Sequence, residues 1–283
     1  MPTIEVVCPS GLQGTVRGLR GAELDLFANA DAVRNNRVTS QILAACWSGS
    51  PSSSPVYTKM GDTIKWDDVL VADRFYTIFK VREATRGEIY TPTLRCVGVG
   101  SCGHKFKTDF NLNDLEVFDL PQETIDSLAA GVNEFKFHVN EATVYNQVLF
   151  GKDEAKIEKN KKLTPEELAT TSMVSRILRV EIPAHCLPTG KGSPYRSLGD
   201  GDIKVLAGAD LRTWIRSLDA SDWDLVRDGL EAVDGGIDTE VCVTCPKCGN
   251  EIEGDLPLDP AEFWMRKKQD ASSKRKGRRA SRG

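Results

Sequence analysis

The sequence has few of the residues on which most enzyme active sites depend. It contains only three histidines, His104, His138 and His185, and none of them lies in a nucleophile or metalloprotease motif. It also has no phosphate-binding glycine loop, because the Gly-Val-Gly sequence at 98–100 lacks a third glycine and a following helix. We therefore predict no catalytic residues and no enzymatic activity.

Long apolar stretches are also absent. No run approaches the roughly 20 apolar residues that span a bilayer, and the first residues lack the basic-then-apolar pattern of a secretion signal. We expect a protein that has no membrane segment and is kept in a reducing cytoplasm. In that compartment, its eight cysteines favour metal ligands and buried thiols over disulfides.

Charge is unevenly distributed along the chain. The net charge is −4, yet residues 266–283 carry nine Lys/Arg and one Asp. This segment lacks apolar residues that could support folding, so we predict a disordered basic tail. It could bind nucleic acid or an acidic protein surface, or be a solvated tail without a partner. The candidate binding residues are Lys274, Arg275, Lys276, Arg278 and Arg279.

The same order of elements occurs twice. In each half an alternating β-hairpin comes first, at 4–19 and at 135–150, and is followed by helical segments, a polar loop, another helix and a cysteine-bearing strand. This repetition predicts an α+β fold of two structurally repeated halves that pack with pseudo-twofold symmetry. We place the first repeat at 1–122 and the second at 130–265.

Capping patterns predict several helix boundaries. Thr164 and Pro165, with two glutamates after them, predict a helix start, and this helix is expected to run through Leu178. The aspartates at 67–68 predict the cap of a helix beginning at residue 69, and Ser221 predicts the cap of another helix.

The cysteines close each repeat. Cys96 and Cys102 end the first repeat, whereas Cys242, Cys245 and Cys248 end the second; Cys242 and Cys248 each lie 146 positions after a cysteine of the first pair. Both Cys102 and Cys248 are followed by glycine, which permits a tight turn around a bound ion.

The second cluster contains a Cys-Pro-Lys-Cys-Gly sequence, which is typical of half a zinc site, because its two-residue spacing lets both thiolates face one ion. If the repeats pack about a pseudo-twofold axis, the first pair completes a closed structural zinc site. The predicted ligands are Cys96, Cys102, Cys245 and Cys248, with Cys242 or His104 as alternatives for one of them.

Other interpretations of these residues remain open. The cysteines could pack as buried thiols without a metal, or Cys245 and Cys248 could form a redox pair. Redox motifs normally open a helix, whereas strand-like residues follow Cys248. His138 is expected to be structural, and His185 beside Cys186 is more consistent with neighbouring loop residues than with a Cys-His dyad.

Three segments, together with the Cys-Gly sequences that follow them in the chain, carry a family resemblance. Residues 9–19 (PSGLQGTVRGL), 42–47 (ILAACW) and 71–87 (VADRFYTIFKVREATRG) resemble the T4-type bacteriophage baseplate hub protein family, whose members are also described as hub assembly chaperones of contractile-tailed phages. The resemblance covers roughly 3–264 and is most specific at 73–87.

This resemblance implies a non-enzymatic role in tail assembly, with other phage baseplate or tail proteins as partners and no membrane or small-molecule substrate. It places the protein in the host cytoplasm during assembly or in the baseplate of the virion. The chain departs from the family pattern in its longer first cysteine spacing and in its basic tail.

An alternative function is that of a zinc-ribbon nucleic-acid-binding protein that uses the basic C-terminal arm. The rest of the chain is acidic, however, and the cysteine strands around 88–96 and 250–256 are not basic or aromatic enough to form a binding face.

Overall fold

The computed structural model divides into two compact units. Unit 1 comprises Met1–Ala84 and Val117–Asp238, and unit 2 comprises Thr85–Glu116 and Thr239–Gly283. The structure describes residues 3–28, 37–157, 165–187, 202–258 and 260–264. Each predicted repeat contributes residues to both units.

Helices account for much of unit 1. The α-helices of the described residues are α1 Gly21–Leu24, α2 Arg37–Cys46, α3 Val71–Arg86, α4 Gln122–Ala130, α5 Gly151–Ile157, α6 Pro165–Arg176, α7 Gly208–Ser217, α8 Ala220–Glu231 and α9 Pro260–Trp264. Short 3₁₀ turns occur at Asp25–Ala28, Pro51–Ser53, Pro55–Met60, Trp66–Asp68, Leu112–Asp114 and Ala184–Cys186. Among these segments, none combines the length and the apolar character that a membrane-spanning helix requires.

The strands form small antiparallel sheets. In unit 1 they are β1 Thr3–Val7, β2 Gln13–Arg17, β3 Trp47–Ser48, β8 Val117–Phe118, β9 Phe135–Val139, β10 Ala142–Asn146, β11 Ile177–Pro183, β12 Ile203–Leu206 and β13 Gly236–Ile237. In unit 2 they are β4 Ile89–Tyr90, β5 Thr93–Arg95, β6 Lys105–Lys107, β7 Phe110–Asn111, β14 Glu240–Thr244 and β15 Glu251–Asp255. The sheet orders are β1-β2-β3, β12-β11-β10-β9, β13-β8, β14-β15, β4-β7 and β5-β6. This mixture of helices and antiparallel sheets confirms the predicted α+β class.

The four-stranded sheet supplies one face of a hydrophobic core in unit 1. Its central strands alternate buried and partly exposed residues, and Val144 lies directly opposite Val180, both fully buried. α7 and α8 cover this face with apolar side chains that include Ile215 and Val226. Gly229 of α8 allows the closest approach, because a Cβ atom there would lie 2.4 Å from the Phe137 ring.

A buried carboxylate fixes the loops beside the first hairpin. Asp73 of α3 is fully buried and accepts hydrogen bonds from the Ser10 amide at 2.9 Å, the Ser10 hydroxyl and the Tyr57 hydroxyl at 2.6 Å. Tyr57 OH in turn accepts from the Leu70 amide at 3.1 Å, and the Ser54 hydroxyl donates to the Ser10 carbonyl at 2.8 Å. The network therefore satisfies polar groups from three chain segments that burial removes from water.

Unit 2 consists of small two-stranded sheets and a short terminal helix. Tyr90 packs edge-on against Phe263 with ring centroids 5.3 Å apart, and its hydroxyl donates to the Pro257 carbonyl at 2.7 Å. The amide and hydroxyl of Thr93 each donate to the Glu262 carboxylate at 2.9 Å. These contacts hold α9 to the segment that contains the first cysteine hairpin.

Two predicted helix boundaries differ from the structure. α6 begins at Pro165 as predicted but ends at Arg176, because the alternating residues from 177 onward pair as β11. α3 begins at Val71 rather than 69, after a 3₁₀ turn.

The predicted cap of α8 is also wrong. Asp219, not Ser221, caps this helix, since its carboxylate accepts from the Asp222 amide at 2.9 Å and from the Ser221 hydroxyl at 2.8 Å. A carboxylate accepts both donors at once, whereas the hydroxyl of Ser221 is used as a donor. The predicted cap Thr164 and the basic tail lie outside the described residues.

Replacing Tyr57 with Phe tests the buried network. The change removes one donor to Asp73 and the acceptor of the Leu70 amide, and we expect it to lower the free energy of unfolding by about 1–3 kcal/mol. The matched control is Tyr145→Phe, which removes a hydrogen bond to Glu181 on a half-exposed surface and should cost clearly less. Urea denaturation monitored by tryptophan fluorescence measures both values, and equal losses would contradict the assigned role of the network.

The penalty of Tyr57→Phe should also depend on pH. Burial raises the pKa of Asp73 above its ordinary value, and the Tyr57 hydroxyl opposes this rise. Since the folded pKa exceeds the unfolded one, the contribution of Asp73 to stability falls as pH increases between the two values. Without the hydroxyl the folded pKa rises further, so the penalty should grow as pH is raised from the acid range toward neutrality. A penalty that is constant across this range would refute the coupling.

Candidate metal centre

Two hairpins of unit 2 each end in a cysteine knuckle, a turn that carries two cysteines. The first knuckle runs from Cys96 to Cys102, and the second runs from Cys245 to Cys248. β5 pairs with β6, and β14 pairs with β15. Beyond the paired strands, the Cys96 amide donates to the His104 carbonyl at 2.8 Å, and the Cys245 amide donates to the Asn250 carbonyl at 2.8 Å. Cys96 and Cys245 therefore occupy the same position, directly after the first strand of each hairpin.

The knuckles bring four thiols together. The sulfur of Cys96 lies 3.7 Å from that of Cys248, and the sulfur of Cys102 lies 3.8 Å from that of Cys245. All four sulfurs lie within 4.8 Å of one another. A tetrahedral zinc ion with bonds of about 2.3 Å to sulfur separates its ligands by about 3.8 Å. The arrangement thus fits a four-thiolate zinc ion, and the structure brings together all four cysteines predicted as ligands.

Local backbone geometry points the thiols inward. Gly103 and Gly249, which follow the second cysteine of each knuckle, have φ values of +66° and +74°, a region that favours glycine. The Gly249 amide donates to the Cys245 carbonyl at 2.9 Å and closes the tighter knuckle. In the longer knuckle, the Cys102 amide points at the Cys96 sulfur, 3.5 Å away.

The thiols differ in their readiness to ionise. Burial acts to raise the pKa of Cys245, but hydrogen bonds from the amides of Lys247 and Cys248 and from nearby thiols outweigh it and lower the pKa to about 7. At Cys96 the Cys102 amide acts to lower the pKa, but burial and hydrogen bonds to the other thiols raise it to about 11. Once one thiol has ionised, its negative charge makes ionisation of the neighbouring thiols unfavourable. A bound cation would offset that charge. Cys96 and Cys245 are buried, and Cys102 and Cys248 are exposed.

The two alternative ligands lie outside this group of four. Cys242 is in β14, exposed and opposite Glu253, and His104 stacks on Phe106 with centroids 6.2 Å apart. The constant spacing in the sequence aligns Cys96 with Cys242 as equivalent positions of the two repeats. In the structure, the residue equivalent to Cys96 is Cys245. The longer turn of the first knuckle accounts for this shift of register.

The remaining candidate residues are placed as follows. The Nδ1 atom of His138 lies 3.2 Å from the Thr143 hydroxyl across the β9–β10 hairpin. The tail residues proposed to bind nucleic acid or an acidic surface fall outside the described part of the chain. A second group, Glu141, His185 and Cys186, also converges in unit 1. No sequence motif signals it, because Glu141 is 44 positions from His185.

One comparison with known proteins identifies the family. The family described as T4 bacteriophage base plate protein matches residues 32–263, which is well over half of the 283 residues. No curated protein and no solved structure matches the chain. The matched span includes both cysteine knuckles and the segment that contains Asp73. The chain therefore belongs to the T4 bacteriophage base plate protein family and is a phage baseplate component.

Proposed function

We propose that this baseplate component is a non-enzymatic hub protein or hub assembly chaperone that binds other baseplate or tail proteins and is stabilised by a structural zinc ion. The convergence of four thiols in unit 2 carries the zinc part of the proposal. Family membership supports the hub role and the choice of partners.

The donor set favours a structural ion. Four thiolates select zinc over hard cations such as Mg²⁺ or Ca²⁺, and they fill all four tetrahedral positions. No position then remains for a water molecule or a substrate, so the ion would stabilise the fold rather than catalyse a reaction.

The small size of unit 2 supports a stabilising role for the ion. Unit 2, Thr85–Glu116 with Thr239–Gly283, has 77 residues in all, and below roughly 70–80 residues a hydrophobic core alone rarely stabilises a fold. Its two-stranded hairpins are marginally stable by themselves. A shared ion would supply the missing cross-link between them.

The order of elements supports two structural repeats, which we keep at 1–122 and 130–265 with pseudo-twofold symmetry as part of the proposal. β1 and β2 form a hairpin, helices follow, and β3 returns to pair with β2. β9 and β10 form a hairpin, helices follow, and β11 returns to pair with β10. Each repeat then contributes one cysteine knuckle.

Charges on the two knuckle hairpins argue against the nucleic-acid alternative. The first hairpin exposes Arg95, Lys105 and Lys107. The second exposes four carboxylates, from Glu240, Glu251, Glu253 and Asp255. A phosphate backbone would meet repulsion along the second hairpin, so the pair does not form a continuous basic face.

Zinc content tests the proposed structural site. After dialysis against a weak chelator, the full chain should retain one zinc ion, measured by inductively coupled plasma mass spectrometry. The double substitutions Cys96→Ser/Cys102→Ser and Cys245→Ser/Cys248→Ser should each abolish retention, because either pair alone leaves half a tetrahedron. Cys242→Ser is the matched control and should retain the ion. Retention after loss of the first pair would exclude a shared site.

Co-purification tests the assembly role. Tagged full chain, co-expressed with each of the other baseplate proteins of its phage, should retain at least one of them through gel filtration. Deleting 266–283 should leave this binding intact if the folded units carry it. Mass spectrometry of purified virions separates the two forms of the proposal, since a hub component remains in the particle and a chaperone does not.

Retention on DNA tests the alternative function. If the proposal holds, any retention of the full chain on immobilised duplex DNA should be weak, and salt should abolish it. Strong retention that is lost on deleting 266–283, together with failure to bind any baseplate protein, would favour the nucleic-acid-binding function.

A further inference from the structure

Three side chains with metal-binding chemistry meet on the surface of unit 1. Glu141 lies in the turn between β9 and β10, and His185 and Cys186 lie in the 3₁₀ turn after β11. Their candidate ligand atoms all lie within 4.8 Å of one another, and His185 Nε2 is 3.0 Å from a Glu141 carboxylate oxygen. The three side chains are exposed, so burial does not account for their convergence.

The backbone holds both turns in place. In the first, Val139 and Ala142 pair at the end of the hairpin, and the Asn140 side-chain amide donates to Asp222 of α8 at 2.8 Å. Both paired residues are buried. The position of Glu141 is therefore set by a buried strand end and by a contact to a helix.

The second turn is anchored on both sides of the potential ligands. The Ala184 amide donates to the Asp202 carbonyl at 2.8 Å, and the Leu187 amide donates back to the Ala184 carbonyl at 3.1 Å. Ala184 and Leu187 are buried, whereas His185 and Cys186 between them face solvent. The fold thus presents an imidazole and a thiol together on an anchored turn.

We propose that Glu141, His185 and Cys186 form an open binding site for a zinc-class divalent cation, separate from the four-cysteine site of unit 2. A thiolate, an imidazole and a carboxylate are the three ligand types that zinc uses in proteins, and the first two disfavour Mg²⁺ and Ca²⁺.

The His185–Glu141 pair needs little adjustment to accept the ion. Zinc bonds of about 2.0–2.2 Å place a nitrogen and an oxygen ligand roughly 3.4 Å apart in a tetrahedron. The His185–Glu141 separation of 3.0 Å would therefore widen by only a few tenths of an ångström. Three protein ligands leave a fourth position open to water or to a donor from another protein.

Cobalt titration of the full chain tests this site. Co²⁺ is added to protein that has kept its dialysis-resistant metal, and binding is followed by calorimetry and by thiolate-to-cobalt charge-transfer absorption. We expect one additional equivalent to bind with this absorption. Cys186→Ser should abolish the absorption, and Glu141→Gln or His185→Gln should weaken binding by about tenfold or more.

Matched controls separate this site from other thiols and histidines. Cys242→Ser removes an exposed thiol that lies opposite Glu253 in unit 2, and His138→Gln removes a histidine of β9 in unit 1. Neither change should alter the additional equivalent. Because the three proposed ligands are exposed, their variants should keep the wild-type circular dichroism spectrum.

The proposal fails if no additional equivalent binds, or if Cys186→Ser leaves the absorption unchanged. Its failure is distinguishable from that of the four-cysteine site. If dialysed protein contains no zinc, cobalt could occupy either group, but only absorption that is lost in Cys186→Ser supports the site in unit 1.

Discussion

Unit 2 depends on the meeting of two cysteine hairpins that are far apart in the sequence. The paired thiols Cys96 and Cys248 are 152 positions apart, and Cys102 and Cys245 are 143 positions apart. An isolated two-stranded hairpin is marginally stable at best in water. Two buried thiols and two exposed ones converge there, and a soft cation would offset the charge that they acquire on ionisation.

Asp73 imposes a comparable constraint on unit 1. The segment before α3 is rich in serine and proline, a composition typical of an irregular loop. It is nevertheless built into 3₁₀ turns in which Ser50 and Ser54 accept hydrogen bonds from the backbone. Tyr57 then directs its hydroxyl to the buried carboxylate. The carboxylate of Asp73 thus helps to fix the conformation of the polar segment before α3.

Local patterns in the sequence revealed much of this architecture, and long-range geometry accounts for most of what they missed. The Cys-Pro-Lys-Cys-Gly knuckle was predictable because both thiols and the turning glycine are neighbours in the chain. The match between Cys96 and Cys245 was not, since the longer first turn shifts the register without a sequence signal. Likewise, Ile177 continues an apolar helical pattern, yet pairing with Asn146 of β10 places it in a strand. Glu141 and His185 meet only through the β9–β10–β11 sheet order, which no short motif encodes.

Because unit 2 is discontinuous, an ion bound by its four thiols would close the chain between its two segments into a ring. The chain leaves unit 2 after Glu116, passes through unit 1 over Val117–Asp238, and returns to unit 2 at Thr239. With an ion across the four thiols, these residues form the interior of a cross-linked loop of about 150 residues. If such a link persisted in the unfolded chain, it would lower the entropy of that chain by the equivalent of about 5 kcal/mol in the loop-closure description. A single backbone cut within this loop would therefore leave two fragments that the metal still joins, in addition to the strand pairing and packing of unit 1 that span the cut.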